Sequence, residues 1–165
     1  MDDGNWLAIA PGAAFGPAKQ WLPEYFLEVA RWHGGKGGRV VLVGTAKEQP
    51  VTAWLAERMP GTLDLAGKTS IDELMSVLAT AKSVVANDSG AMHLAAAVGT
   101  PGVAVFGSTD PIATGPIGAP WRIIASPELC RPCFHRTCPL SDHPYKCLRE
   151  ISPHLVISEL QEIHG

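Results

Sequence analysis

What this sequence lacks narrows its function before any motif is considered. No stretch of about 18 consecutive apolar residues occurs, so no membrane-spanning helix is expected. No run of Lys or Arg interrupts a net charge of −3, and no RNA-binding aromatic signature is present, so nucleic acid is not an expected partner. The opening residues, Met1-Asp2-Asp3-Gly4-Asn5-Trp6, carry neither the basic region nor the apolar stretch of a signal peptide. The expected compartment is therefore the cytoplasm, where thiols stay reduced. The chain also enters its first apolar run almost at once, which suits a piece cut from a longer protein as well as it suits a natural start. No Gly-x-Gly-x-x-Gly follows that run, which disfavours a nicotinamide or flavin dehydrogenase, and no Gly-x-x-x-x-Gly-Lys-Ser/Thr loop is present. Internal repeats and low-complexity segments are absent too.

What is present is a core. With 46% apolar residues over 165 positions, residues 1–165 are expected to form one domain. Continuous apolar runs at Trp6–Ala10, Val40–Val43, Thr62–Leu65, Ser83–Ala86, Gly102–Phe106 and Trp121–Ala125 read as strands. Between them, helical spacing predicts helices over 23–33 and 47–59. A third, opened by a Ser70/Glu73 capping box, reaches Ala81, and a fourth follows Gly90. A last helix starts at Ser152-Pro153, with proline at its first position. Apolar strands alternating with helices indicate an α/β fold, a doubly wound parallel sheet covered on both faces. Ligands of such sheets sit beyond the carboxyl ends of the strands.

Four strand ends then face one crevice. They are Pro11-Gly12-Ala13-Ala14, Gly44-Thr45-Ala46, Asn87-Asp88-Ser89-Gly90 and Gly107-Ser108-Thr109-Asp110. The third is the most informative, because a strand that ends in a polar turn and opens straight into a helix points free N–H groups outward. Those groups and the helix dipole suit a phosphate, although Asp88 or Ser89 can equally cap the helix. Lys19 lies where its charge can reach a diphosphate, or is a solvated loop lysine. Glu48 can accept both hydroxyls of a ribose, or simply complement a helix dipole. Asp110 can bond sugar hydroxyls or form an Asx-Pro turn. His93, about one helical turn past Ser89, can touch a ligand or sit satisfied within its helix.

Cys130, Cys133, Cys138 and Cys147 fall in a Cys-, Pro- and His-containing segment at 127–150. Reduced thiols at these spacings can hold a structural zinc, with His135 and His143 as spare ligands. They can also be free thiols, and disulfides fit a cytosolic protein poorly.

The chain resembles the carboxyl-terminal half of the ADP-heptose:lipopolysaccharide heptosyltransferases, glycosyltransferase family 9, of the heptosyltransferase II type. The resemblance rests on Pro11-Gly12-Ala13 with Lys19-Gln20-Trp21, on Asn87 through Leu94, and on Phe106 through Pro111, in that order and spacing. It implies the Rossmann-like donor-binding half of a GT-B enzyme. Lys19 and the N–H groups at Ser89-Gly90 would hold the diphosphate of ADP-heptose, Glu48 would take the ribose, and Asp88 would lie near heptose and phosphates. The resemblance also implies transfer without a metal cofactor and placement in the cytoplasm or peripherally at the inner face of the bacterial inner membrane. The lipopolysaccharide acceptor and the general base, an Asp, would belong to an amino-terminal half outside this chain, so the isolated chain would bind donor without turning it over. Other readings of the same loops are a stand-alone nucleotide- or phosphate-binding module and half of a GT-B sugar-nucleotide epimerase.

Overall fold

The computed structural model describes residues 4–165, so readings that rest on Met1, Asp2 and Asp3 lie outside the described residues. Six strands form one sheet: β1 (Trp6–Ala10), β2 (Arg39–Leu42), β3 (Leu63–Asp64), β4 (Ser83–Asn87), β5 (Gly102–Phe106) and β6 (Trp121–Ala125). Their spatial order is β3-β2-β1-β4-β5-β6, and every pairing is parallel. The chain runs outward from β1 to β3, then returns across β1 to lay down β4. That reversal leaves a crevice at the carboxyl ends of β1 and β4, the usual ligand position in doubly wound sheets.

Successive strand residues point to opposite sides, so each face of the sheet builds its own core. Leu7, Ile9, Val85, Val103 and Val105 share one core with Trp21, Phe26, Val156 and Leu160. The last three lie on α1 (Pro23–Gly35) and α7 (Pro153–His164). On the opposite face Trp6, Val41, Val84 and Phe106 flank a strip of alanines. Ala8, Ala10, Ala86 and Ala104 pack with Leu78 of α3 (Ile71–Thr80) and with Met92 and Ala95 of α4 (Gly90–Ala97). Small residues on both partners let α4 lie close to the sheet, which sets its first turn at the crevice.

Several boundaries differ from expectation for local reasons. The predicted helix over 47–59 is a 3-10 turn at Ala46–Glu48 followed by α2 (Gln49–Arg58), with Pro50 in its first turn. Gly34 and Gly35 extend α1 rather than break it. The strand expected over Thr62–Leu65 pairs only at β3's two residues. The loop over 107–120, rich in Gly and Pro, contains α5 (Pro111–Thr114), and the Cys-rich segment contains α6 (Lys146–Arg149). The Ser70 capping box forms as expected, with Ser70 N–H donating to Glu73 Oε2 at 2.7 Å and Glu73 N–H donating to Ser70 Oγ at 3.2 Å. Among the described residues, no helix is long and apolar enough to cross a membrane.

Candidate functional site

The crevice is held together by one buried amide. Asn87, the last residue of β4, accepts a hydrogen bond from Trp21 N–H at 2.9 Å. It donates through Nδ2 to the carbonyls of Pro11 at 2.9 Å and Gly12 at 3.2 Å. Backbone polar groups in a buried loop need partners, and here one side chain supplies them across the reversal point. Trp21, 1% exposed, completes the anchor by donating Nε1–H to Ile151 O at 2.9 Å. The loop after β1 is thereby fixed at both ends.

Next to Asn87, Asp88 gathers a polar cluster. Its Oδ2 lies 2.7 Å from Lys19 Nζ, and accepts the hydroxyls of Thr109 at 2.7 Å and Thr114 at 3.0 Å. The side chains of Lys19 and Asp88 are only 13% and 4% exposed. Lys19 is therefore no solvated loop lysine. Its ammonium also sits 4.8 Å from the centroid of Phe15, whose ring has Arg136 at 5.1 Å as well.

A cleft of about 550 Å³ opens beside this cluster. Gly12, Ala14, Thr45 and Glu48 form one wall, and Ser89 and Gly90 form part of another. Glu48 Oε2 accepts Thr45 N–H at 2.6 Å. Its carboxylate lies directly against Gly12 and Gly44, where a Cβ at either position would overlap it. Ser89 is the N-cap of α4 by backbone geometry, yet its hydroxyl makes no capping bond. That Oγ is buried without a hydrogen-bond partner among the described residues. Capping, the alternative use for this serine, is thus not what the hydroxyl does. The first N–H groups of α4 have no intrahelical acceptors, and the Gly90 position is open to solvent.

Lys19 and Asp88 pair beside the cleft without lining it, and three further sequence candidates also sit outside its lining. Ala13 is buried behind the loop, with its carbonyl accepting Gln20 Nε2–H at 3.1 Å. Asp110 caps α5, accepting Ile112 N–H on Oδ1 at 2.9 Å. His93 is exposed on α4 and does not line the cleft.

Sequence reasoning missed a fifth strand end. Gly67, Thr69 and Ser70 follow β3 and, with Ile71, Leu74 and Leu94, line the far part of the cleft. The signal was available, because every loop that follows a parallel strand emerges on the same edge. The brevity of β3 hid it. Thr109 and Thr114 were missed as partners of Asp88, since no spacing rule brings the ends of different strands together.

The four cysteines are unbonded and line one small cavity of about 40 Å³ together with Ala18 and Ser108. Burial, and then the neighbouring thiols, push the Cys147 thiol above its usual range. No group of three or more His, Cys, Asp or Glu among the described residues is arranged to hold a metal ion. The segment does touch the site loops, through Ala18 N–H to Arg136 O at 3.0 Å and Phe134 N–H to Ser108 O at 2.8 Å.

The strand order and the strand-end loops define the class of the domain, a Rossmann-like doubly wound α/β fold with its cleft at the carboxyl ends of the strands. The profile described as glycosyltransferase family 9 (heptosyltransferase) matches residues 2–143. Lipooligosaccharide heptosyltransferase 2 of Haemophilus influenzae is 39% identical over 123 residues, covering 72% of this chain and 36% of that protein. Among solved structures, E. coli ADP-heptose LPS heptosyltransferase II superposes with a TM-score of 0.84 at 30% identity, over 99% of this chain and 47% of its own. The E. coli heptosyltransferase WaaC with ADP superposes with a TM-score of 0.78 at 25% identity, over 99% and 45%. The chain belongs to glycosyltransferase family 9, the heptosyltransferases. It spans roughly a third to a half of the length of these relatives.

Proposed function

We propose that this chain is the donor-binding half of a heptosyltransferase that transfers heptose from ADP-heptose to the inner core of lipopolysaccharide. The observation that carries the reading is the cleft ending at the first turn of α4, where Ser89 and Gly90 line it and the buried Ser89 hydroxyl has no partner among the described residues. The diphosphate is held by the N–H groups at Ser89-Gly90 and by Lys19. Glu48, poised over Gly12, accepts the ribose hydroxyls, while the apolar end at Ile71, Leu74 and Leu94 takes the base. Asp88 takes the sugar side, whereas Asp110 is engaged in capping α5 and His93 stands exposed outside the cleft lining. A WaaC structure that holds ADP on the same fold supports the assignment.

A lysine and a helix N-terminus neutralise the leaving diphosphate with the chain's own groups. The amino-terminal half of the full-length protein supplies the acceptor site and the general base, at the cytoplasmic face of the inner membrane. Calorimetric titration tests this. ADP binds the chain in the micromolar to millimolar range, UDP binds more weakly, and no heptose is transferred by the chain alone. Equal affinity for UDP and ADP overturns the donor assignment in favour of an epimerase-type half or a general phosphate module. Turnover by the chain alone overturns the division of labour.

The thiols around one cavity support a second, structural reading. In it, Cys130, Cys133, Cys138 and Cys147 close on a zinc ion that clips the Cys-rich segment, a loop with little core of its own.

A further inference from the structure

We propose that Thr109 and Thr114 are positioning residues that allow Lys19 to change partner, from Asp88 in the free protein to the diphosphate of an incoming nucleotide. The inference rests on the donor-site reading above. Lys19 is already committed to Asp88 at 2.7 Å, so a phosphate can recruit its charge only by drawing it away or sharing it. A carboxylate that is 4% exposed tolerates the loss of its cation poorly unless other donors stay on it. Both threonine hydroxyls point at the same Oδ2 that Lys19 contacts. They hold that oxygen when the cation leaves, at the moment the diphosphate brings more negative charge close by.

The two kinds of donor are mounted differently. Thr109, 5% exposed, sits in a loop clamped from behind by Arg131. That guanidinium donates to the carbonyls of Gly107 at 2.5 Å, Ser126 at 3.0 Å and Thr109 itself at 3.2 Å. Thr114 closes α5, whose start is pinned by the Asp110 cap, and its hydroxyl also reaches Asp110 O at 3.2 Å. Lys19, by contrast, is a four-methylene chain leaving a single 3-10 turn, Pro17–Lys19. Fixed donors and a swinging cation are the arrangement that an exchange of partners requires.

The test compares ADP and adenosine binding by calorimetry on the native chain and on hydroxyl-deleted variants of nearly the same shape. Thr109→Val with Thr114→Val is expected to weaken ADP about ten-fold, since a hydrogen bond to a charged group is removed, and to leave adenosine unchanged. Thr109→Ser with Thr114→Ser keeps native ADP affinity. Adding Asp88→Asn to the valine pair restores ADP, because no carboxylate then retains Lys19. If the valine pair fails to fold, the single Thr114→Val variant, at an exposed position, reads the same effect at about three-fold. Valine variants that bind ADP as the native chain does overturn the proposal, as does an equal loss of ADP and adenosine. A native chain that binds neither ligand overturns the donor-site reading and the proposal with it.

Discussion

Replacing Lys19 by Met separates what this side chain does for stability from what it does for a ligand. At 2.7 Å the direct attraction to Asp88 is about 6 kcal/mol for an effective dielectric constant near 20. Taking both charges out of water offsets most of it. Breaking a buried pair costs roughly 3–5 kcal/mol when the surviving charge is stranded. Here Asp88 keeps two threonine donors, so Lys19→Met is expected to cost less, about 2 kcal/mol. For a domain of this size that is a fall of roughly 4–8 °C in Tm. Asp88→Asn strands a more exposed cation, and its cost is about 1 kcal/mol. The double variant recovers about half of the summed loss, a coupling of about 1.5 kcal/mol in urea denaturation at unchanged m-value. ADP affinity behaves differently. It falls ten- to a hundred-fold in Lys19→Met, stays low in the stabilised double variant, and leaves adenosine unaffected in both. Additive single effects would refute the ion-pair argument, and parallel losses of ADP and adenosine would refute the phosphate role.

Gly12→Ala places a methyl where the Glu48 carboxylate lies and displaces that flexible side chain, so adenosine and ADP should weaken alike while stability moves by less than about 1 kcal/mol; unchanged adenosine binding would count against the ribose role. His164 is held down to about 4 by burial and by the charges of Lys82, His33 and Lys36. The unfolded chain therefore takes up a proton that the folded one refuses: stability is complete above about pH 6.5 and is lost as pH falls toward 4. Discounted for the water that reaches the ring, this is about 1–2 kcal/mol, and His164→Gln should flatten the slope in that window. The structural-zinc reading is tested by metal analysis of protein purified without chelator: one zinc per chain, with the Cys-rich segment exchanging amide protons faster once it is removed, supports the clip, whereas four freely titrating thiols and no metal leave the cysteines as ordinary reduced side chains, in keeping with the absence of a preformed metal-holding group among the described residues.

The layout of the fold was legible because burial on both faces leaves an unmistakable mark on a parallel sheet. Leu7, Ala8 and Ile9, or Val103, Ala104 and Val105, are apolar at every position, and each such run ends in a glycine-containing or polar turn. Chain direction then places those turns on one edge, so Gly12, Thr45, Glu48, Ser89 and Gly90 were identifiable before any coordinate. The heptosyltransferase resemblance added roles to positions that the pattern had already picked out.

What the local pattern left open was decided by distance across the sheet. Ser89 reads equally well as a cap or as a ligand contact, and only the folded chain, in which its hydroxyl makes no capping bond, excludes the first. Lys19 and Asp88 are 69 residues apart in sequence, and Thr109 and Thr114 lie further along still. No periodicity links the ends of β1, β4 and β5. These residues meet because the sheet places those strands side by side, β1 against β4 and β4 against β5, and carries their loops into one cluster. Local sequence determines which residues stand at strand ends, through burial and turn chemistry. Which of those ends share a charge, and whether that charge is free or already taken, is set by the order in which the strands pair.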